Sequence, residues 1–272
     1  MRAAVALTAK GLCLGLLAAS FFPCQAAEDA AQSSGPIRSF PAHEGAAAAS
    51  VMGTQALAAH RPKRANFELE RASREARHVA DWVVDSGDSI GMPFAIVDKQ
   101  DAKVFVFDAN GRLRGAAPAL LGLAVGDDAV PGMGDRALSS IRPEERTTPA
   151  GRFVASLDRN LHGKEILWVD YDGAVSMHPV ITTKPEERRL QRLATPTPAD
   201  NRISYGCINV PAKFFENVVR PAFTGTDGIV YVLPETRPAR EVFASYDVEA
   251  HARQKTASQQ AHAQITSAAT WH

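Results

Sequence analysis

Cysteine is scarce, with three in 272 residues. Cys13 and Cys24 fall in the first segment, so once that segment is removed Cys207 stands alone and no internal disulfide can form. Neither sign of charge is in excess: Lys+Arg and Asp+Glu are each 30. A chain with no basic surplus offers no electrostatic footprint for nucleic acid or an anionic membrane surface. Long apolar runs are missing beyond the N-terminus, so the mature chain is expected to have no integral membrane segment. There is no glycine-rich phosphate loop and no internal repeat. His162 and His178 are the only histidines in the region of strand pattern, too few with one cysteine for a metal site, so neither metal nor cofactor is expected.

At the N-terminus, Arg2 and Lys10 precede a short apolar run over 11–22, and small residues follow at Ala26 and Ala27. This is the pattern of a secretory signal, expected over 1–26, and it fits cleavage better than an uncleaved anchor. The product is expected to be exported, to the periplasm in the absence of an anchor or wall-sorting signal. In an oxidising compartment a lone thiol is a liability unless it pairs with another chain or does chemistry, although a buried inert cysteine is also common.

Residues 27–64 are rich in Ala, Ser, Gly and Pro and read as a linker. From Asn66 to Val84, Phe67, Leu69, Ala72, Ala76, Val79, Trp82 and Val83 recur at helical spacing, which predicts a helix within a 65–91 extension. A strand pattern then takes over at 94–98 and 103–108, with Asn110-Gly111 as a tight turn before a third strand from Arg112. Residues 122–149 read as a long loop with a short helix near Leu138. Further strands are expected at 151–157, 165–170, 174–178 and 229–233. Helices are expected at 184–193 and from Pro211 to 219. The result is a mainly β domain over 92–234 with one or two short helices, preceded by a helix and followed by a tail over 235–272. Strand and helix do not alternate as in a doubly wound sheet.

The chemistry gathers at Arg202-Ile203-Ser204-Tyr205-Gly206-Cys207-Ile208-Asn209. Gly206 allows a strained turn or close backbone approach. Backbone N–H groups near Cys207 could face an oxyanion, and a following helix N-terminus would favour thiolate. An activated thiol needs a base, and His178, at the end of a strand, is the candidate. His162, in a turn, reads as solvated.

Ser204-Tyr205-Gly206-Cys207-Ile208-Asn209 resembles the active-site signature of L,D-transpeptidase (YkuD-type) catalytic domains, and Thr148-Pro149-Ala150-Gly151-Arg152-Phe153 resembles their Thr-Pro-x-Gly-x-Phe turn. Asp98-Lys99 and the segment 107–111 fit the start of such a domain, so the resemblance covers about 92–234. It implies a β-sandwich-like fold around a cleft and acyl transfer on peptidoglycan stem peptides, with a second stem peptide, a lysine-bearing wall-attached protein or water as acceptor. It implies Cys207 as nucleophile, His178 as base, Gly206 in the oxyanion turn, and Ser204 and Asn209 in support. Arg202 is expected to bind substrate carboxylates, as could Arg188 or Arg189 if they are not simply surface charge. Tyr205 is expected either to line the pocket or to pack. The sequence departs from many members of the family at Tyr205, where they have His, and at Asn209, where they have Arg. The gap from His178 to Cys207 is longer than in compact members, and the charged stretch 184–193, which accounts for the extra length, reads as either a lid or a solvated helix. A wall hydrolase using the same thioester, and a wall-binding protein without catalysis, are the alternatives.

Overall fold

The structure is a computed structural model and describes residues 61–269. The expected signal over 1–26 and most of the expected linker lie outside the described residues. Among the described residues ten strands form: β1 (Phe94–Asp98), β2 (Lys103–Phe107), β3 (Leu113–Pro118), β4 (Leu121–Gly122), β5 (Gly151–Arg159), β6 (Glu165–Asp170), β7 (Val175–Pro179), β8 (Arg202–Ser204), β9 (Ile208–Val210) and β10 (Gly228–Val232). Eight of them make one mixed sheet in the order β3-β2-β1-β10-β5-β6-β7-β9, while β4 and β8 pair separately. The β1–β10 and β7–β9 pairs are parallel, and their neighbours within the large sheet are antiparallel. The two ends of the sheet meet, because Leu120, just past β3, exchanges backbone hydrogen bonds of 2.8 and 2.9 Å with Asn209 of β9. The fold is thus mainly β, as expected, and barrel-like: its layers come from one curled sheet.

Side-chain alternation along the central strands explains the curl. Ala95, Val97, Val104, Val106, Val230 and Val232 point to the inner core, where they meet Leu167, Met177, Ile208 and Phe215. Phe94, Ile96, Phe105, Phe107, Ile229 and Tyr231 point to the outer face. Small and β-branched residues fit the concave side, and the bulkier aromatics spread over the convex side. Phe94 stacks on Phe107 at 4.7 Å. Burying each of these larger side chains contributes roughly 1.5–3 kcal/mol.

The outer face is covered by helix α1 (Arg74–Ser86), which buries Ala76, Val79, Ala80, Trp82 and Val83. The helix is shorter than the 66–84 periodicity predicts. Ser73 stops it by accepting the Ala76 N–H at 3.0 Å. Upstream, the Asn66 backbone is paired with Gly111 and Leu113. Phe67 still packs, edge-on to Phe105 and Phe107, but Leu69 is fully exposed.

The segment read as a C-terminal tail also joins this face. It forms α5 (Ala239–Phe243) and α6 (Val248–Ala269), and Ala239, Phe243 and Val248 are buried against Trp82 and Tyr231. The earlier helices are α2 (Arg189–Ala194), α3 (Ala212–Phe214) and α4 (Arg220–Phe223), the last two joined by a π turn over Phe215–Val219. In the long loop, single 3-10 turns occur at Met133–Asp135, Leu138–Ser140 and Pro143–Glu145. Among the described residues no helix is long and apolar enough to cross a membrane.

Candidate active site

The parallel β7–β9 pairing builds the site. Met177 lies opposite Ile208, and His178 opposite Asn209. One step back, Ser176 meets Cys207. Met177 and Ile208 are fully buried in the inner core, so the intervening Ser176, His178, Cys207 and Asn209 are carried together on the other side. Register is therefore fixed by apolar burial, since a one-residue slip would push Met177 and Ile208 out of the core.

The thiol is half-buried. Its sulfur lies 3.6 Å from Ser176 Oγ and 3.6 Å from the Ala174 carbonyl. The neighbouring His178 side chain acts on it electrostatically. His178 Nδ1 lies 2.8 Å from the Pro179 carbonyl, where only a donor fits, which leaves Nε2 to face the sulfur. Burial disfavours the thiolate, but the His178 hydrogen bond and charge, with help from Ser176, outweigh it and hold the Cys207 pKa below the ordinary thiol value. Burial likewise disfavours charge on His178. The hydrogen bond and negative charge of Cys207, with the Pro179 carbonyl, prevail, and the histidine pKa is raised. Both shifts favour a thiolate–imidazolium pair.

The turn before the cysteine is held from several sides. Ser204 Oγ accepts the Gly206 N–H at 3.1 Å and donates to the Cys207 carbonyl at 2.6 Å. Asn209 Nδ2 donates to the same carbonyl at 3.2 Å. Buried Thr148 donates to the Gly206 carbonyl at 2.8 Å and accepts the Gly122 N–H at 2.8 Å. Gly206 has φ +135°, and a Cβ there would lie 2.8 Å from the Thr147 carbonyl oxygen, so only glycine fits without strain. At Gly122 a Cβ would collide with the Arg146 carbonyl.

Two sequence expectations change here. The Gly206 N–H, expected to face an oxyanion, is already committed to Ser204. The helix expected from Pro211 does form, from Ala212, but β9 stands between it and Cys207, so its N-terminus is not at the thiol. Any lowering of the thiol pKa therefore comes from His178 and Ser176 rather than from a helix N-terminus.

Arg202 lies in a different cluster. Its guanidinium pairs with Glu235 and donates to the Lys99 carbonyl at 2.9 Å. Lys99, fully buried, donates to Asp127 at 2.8 Å and to the Thr148 carbonyl at 2.9 Å. The Arg202 donors are thus committed to a structural ion cluster rather than presented to a substrate. Tyr205 lies beneath Arg146, whose guanidinium carbon is 4.0 Å from the ring centroid. With Thr147, Pro149, Gly173 and Val175 it lines a small crevice. Arg188 is exposed, and so is His162, in its turn. Arg189 is half-buried and donates to Asn209 Oδ1 at 2.7 Å.

Sequence reasoning assigned no role to Ser176, although it sits two residues before His178 on one strand and so shares its face. Nor did it assign one to Thr148, whose hydroxyl links the Gly206 turn to β4. Among the described residues no group of three or more His, Cys, Asp or Glu side chains could hold a metal ion.

No protein-family model and no curated protein matches the chain. Solved structures similar to it include the helical cell shape determining protein Pgp2 from Campylobacter jejuni, 14% identical over 54% of this chain and 49% of that one, with a TM-score of 0.35. The Ldtfm–avibactam carbamoyl enzyme is 16% identical over 52% and 49%, with a TM-score of 0.30. The catalytic domain of the E. faecium L,D-transpeptidase is 15% identical over 52% of this chain and 95% of that domain, with a TM-score of 0.28. The match thus spans about half the length of Pgp2.

Proposed function

We propose that this protein is an exported cysteine acyltransferase acting on peptidoglycan stem peptides, with Cys207 as nucleophile and His178 as base. The observation that carries the reading is half-buried Cys207 set beside half-buried His178 by the β7–β9 register. The signature around Cys207 supplies the substrate class.

In this mechanism the Cys207 thiolate attacks the carbonyl carbon of the third stem residue. The oxygen takes up the negative charge of the tetrahedral intermediate, which the Cys207 backbone N–H stabilises. Collapse breaks the bond to the terminal residue, and protonated His178 gives its proton to the departing amine. The thioester that remains is attacked by an acceptor amine, from a second stem peptide or a lysine of a wall-attached protein. His178 takes the acceptor's proton and the thiol is regenerated. Water as acceptor gives hydrolysis by the same steps.

Exposure to a carbapenem followed by intact-mass measurement tests the reading. The β-lactam ring opens on the thiolate, adding its whole mass to the protein. The expected result is a stoichiometric adduct on the wild type, none on Cys207→Ala, and formation slowed roughly 100- to 10,000-fold on His178→Ala. A folded wild type that gains no adduct, and whose Cys207 alkylates no faster than an ordinary thiol, would overturn it. Muropeptide products formed with and without an amine acceptor then separate transfer from hydrolysis.

A further inference from the structure

Residues 184–195 are stitched down rather than solvated throughout. Arg192 donates to the Glu187 carbonyl at 2.8 Å and the Asp200 carbonyl at 2.6 Å, and Leu193 is buried. From this braced segment Arg189 reaches the site. Its Nε donates to Glu187 at 2.5 Å and its Nη1 to Asn209 Oδ1 at 2.7 Å. Asn209 is 1% exposed, and its Nδ2 donates to the Cys207 carbonyl. An amide has a donor end and an acceptor end, whereas a guanidinium only donates. With Arg189 in place the amide has one arrangement: oxygen toward Arg189, NH2 toward Cys207. Without it, the amide is free to turn its oxygen against the Cys207 carbonyl.

We propose that Arg189 is a positioning residue of the Cys207 site: by fixing the orientation of the Asn209 amide, it holds the nucleophile's backbone in place for attack. The inference rests on the acyltransferase reading and adds a role for the 184–195 segment, as a clamp behind the nucleophile. The charge of Arg189 also opposes the proton on His178. The charged groups that act on that imidazole are Cys207 from the turn and Arg189 from α2, with Glu187 paired behind Arg189.

The test measures carbapenem acylation, iodoacetamide alkylation of Cys207 and the His178 ring titration by NMR in the full chain. The variants are Arg189→Gln, Arg189→Lys and Asn209→Asp. Acylation depends on the geometry of the turn, and alkylation mainly on the thiolate. Arg189→Gln and Asn209→Asp should slow acylation roughly 10- to 100-fold, the scale of a small misplacement at a reacting centre, while alkylation falls far less. Arg189→Lys, still donor-only, should recover most of the acylation rate. The His178 midpoint should move to higher pH in Arg189→Gln and stay in place in Arg189→Lys. Wild-type acylation in a folded Arg189→Gln protein would overturn the clamp and leave the acyltransferase reading standing. A wild type with an unreactive thiol would overturn both. If Arg189→Gln does not fold, Glu187→Gln loosens the same guanidinium from outside the turn, and an unchanged acylation rate there, with Asn209→Asp also unchanged, overturns the proposal.

Discussion

Two polar clusters lie close together in this molecule, and they differ in closure. Around Lys99, two cations (Lys99 and Arg202) meet two anions (Asp127 and Glu235), and all four side chains are largely shut off from water. Around Cys207, the polar groups are just as tightly linked, but the residue stays only half-buried. A closed, balanced ion cluster has no group left to act on a ligand, and removing one partner strands the others. An open cluster retains one reactive atom. The clusters touch at Thr148: its carbonyl accepts from Lys99, and its hydroxyl holds the Gly206 turn. The buried ions thus brace the open site from behind.

The comparison can be broken from either side. The largest effect on chemistry is expected from Cys207→Ala, with complete loss of carbapenem adduct by mass and little change in denaturant midpoint, since the thiol is only half-buried. Lys99→Met should do the reverse. It takes the buried cation from Asp127 and leaves Glu235 with Arg202 alone, and should cost about 3–5 kcal/mol in urea unfolding, while Cys207 chemistry survives in the fraction that remains folded. Thr148→Val lies on both sides. It strands the Gly122 N–H and frees the Gly206 carbonyl, so about 1–3 kcal/mol of stability should go, along with a drop in acylation rate measured on folded protein. If it changes stability alone, the two clusters are independent.

Acid is the mildest probe and separates the clusters by sign. Burial works against the Asp127 charge, but Lys99, Thr236 and backbone N–H groups outweigh it and hold its pKa well below the ordinary carboxylate range. A depressed folded-state pKa means stability that is fully present above the unfolded value of about 4. It is lost as pH falls below that value. Urea midpoints from pH 6 to pH 3 should therefore decline in the wild type and decline less steeply in Asp127→Asn. Cys207 shows its shift as reactivity: alkylation should persist below the ordinary thiol pKa of about 8.5, and His178→Ala should push the profile back toward that value.

Strands β1, β6 and β10 were legible in the sequence for physical reasons, and so was the choice of Cys207 and His178, which the β7–β9 pairing brings near one another. Short continuous apolar runs, rich in β-branched and aromatic residues and bounded by turns, favour strands, and a lone cysteine beside a glycine calls for a base. The local pattern misled where one residue overrode a period. Phe67 and Leu69 keep helical spacing with α1, yet Ser73 caps the helix below them and the Asn66 backbone pairs elsewhere. Phe243 and Val248 stand in a stretch rich in alanine and polar residues, where nothing local reveals the aromatic face that receives them.

Arginine chemistry was the least legible. Arg202 and Arg189 carry the same guanidinium, and each lies among polar residues in the sequence. Arg202 is neutralised by Glu235, thirty-three residues away, whereas Arg189 reaches the amide of Asn209, twenty residues away. The sequence by itself determined which groups are present: one thiol outside the first segment, a histidine on a strand, a glycine turn and apolar alternation strong enough to fix strand register. Only the tertiary structure decided which of them meet. Hydrogen bonds and ion pairs act over a few ångströms, and the long-range pairing of β7 with β9, β4 with β8 and the ends of the sheet with each other sets those distances.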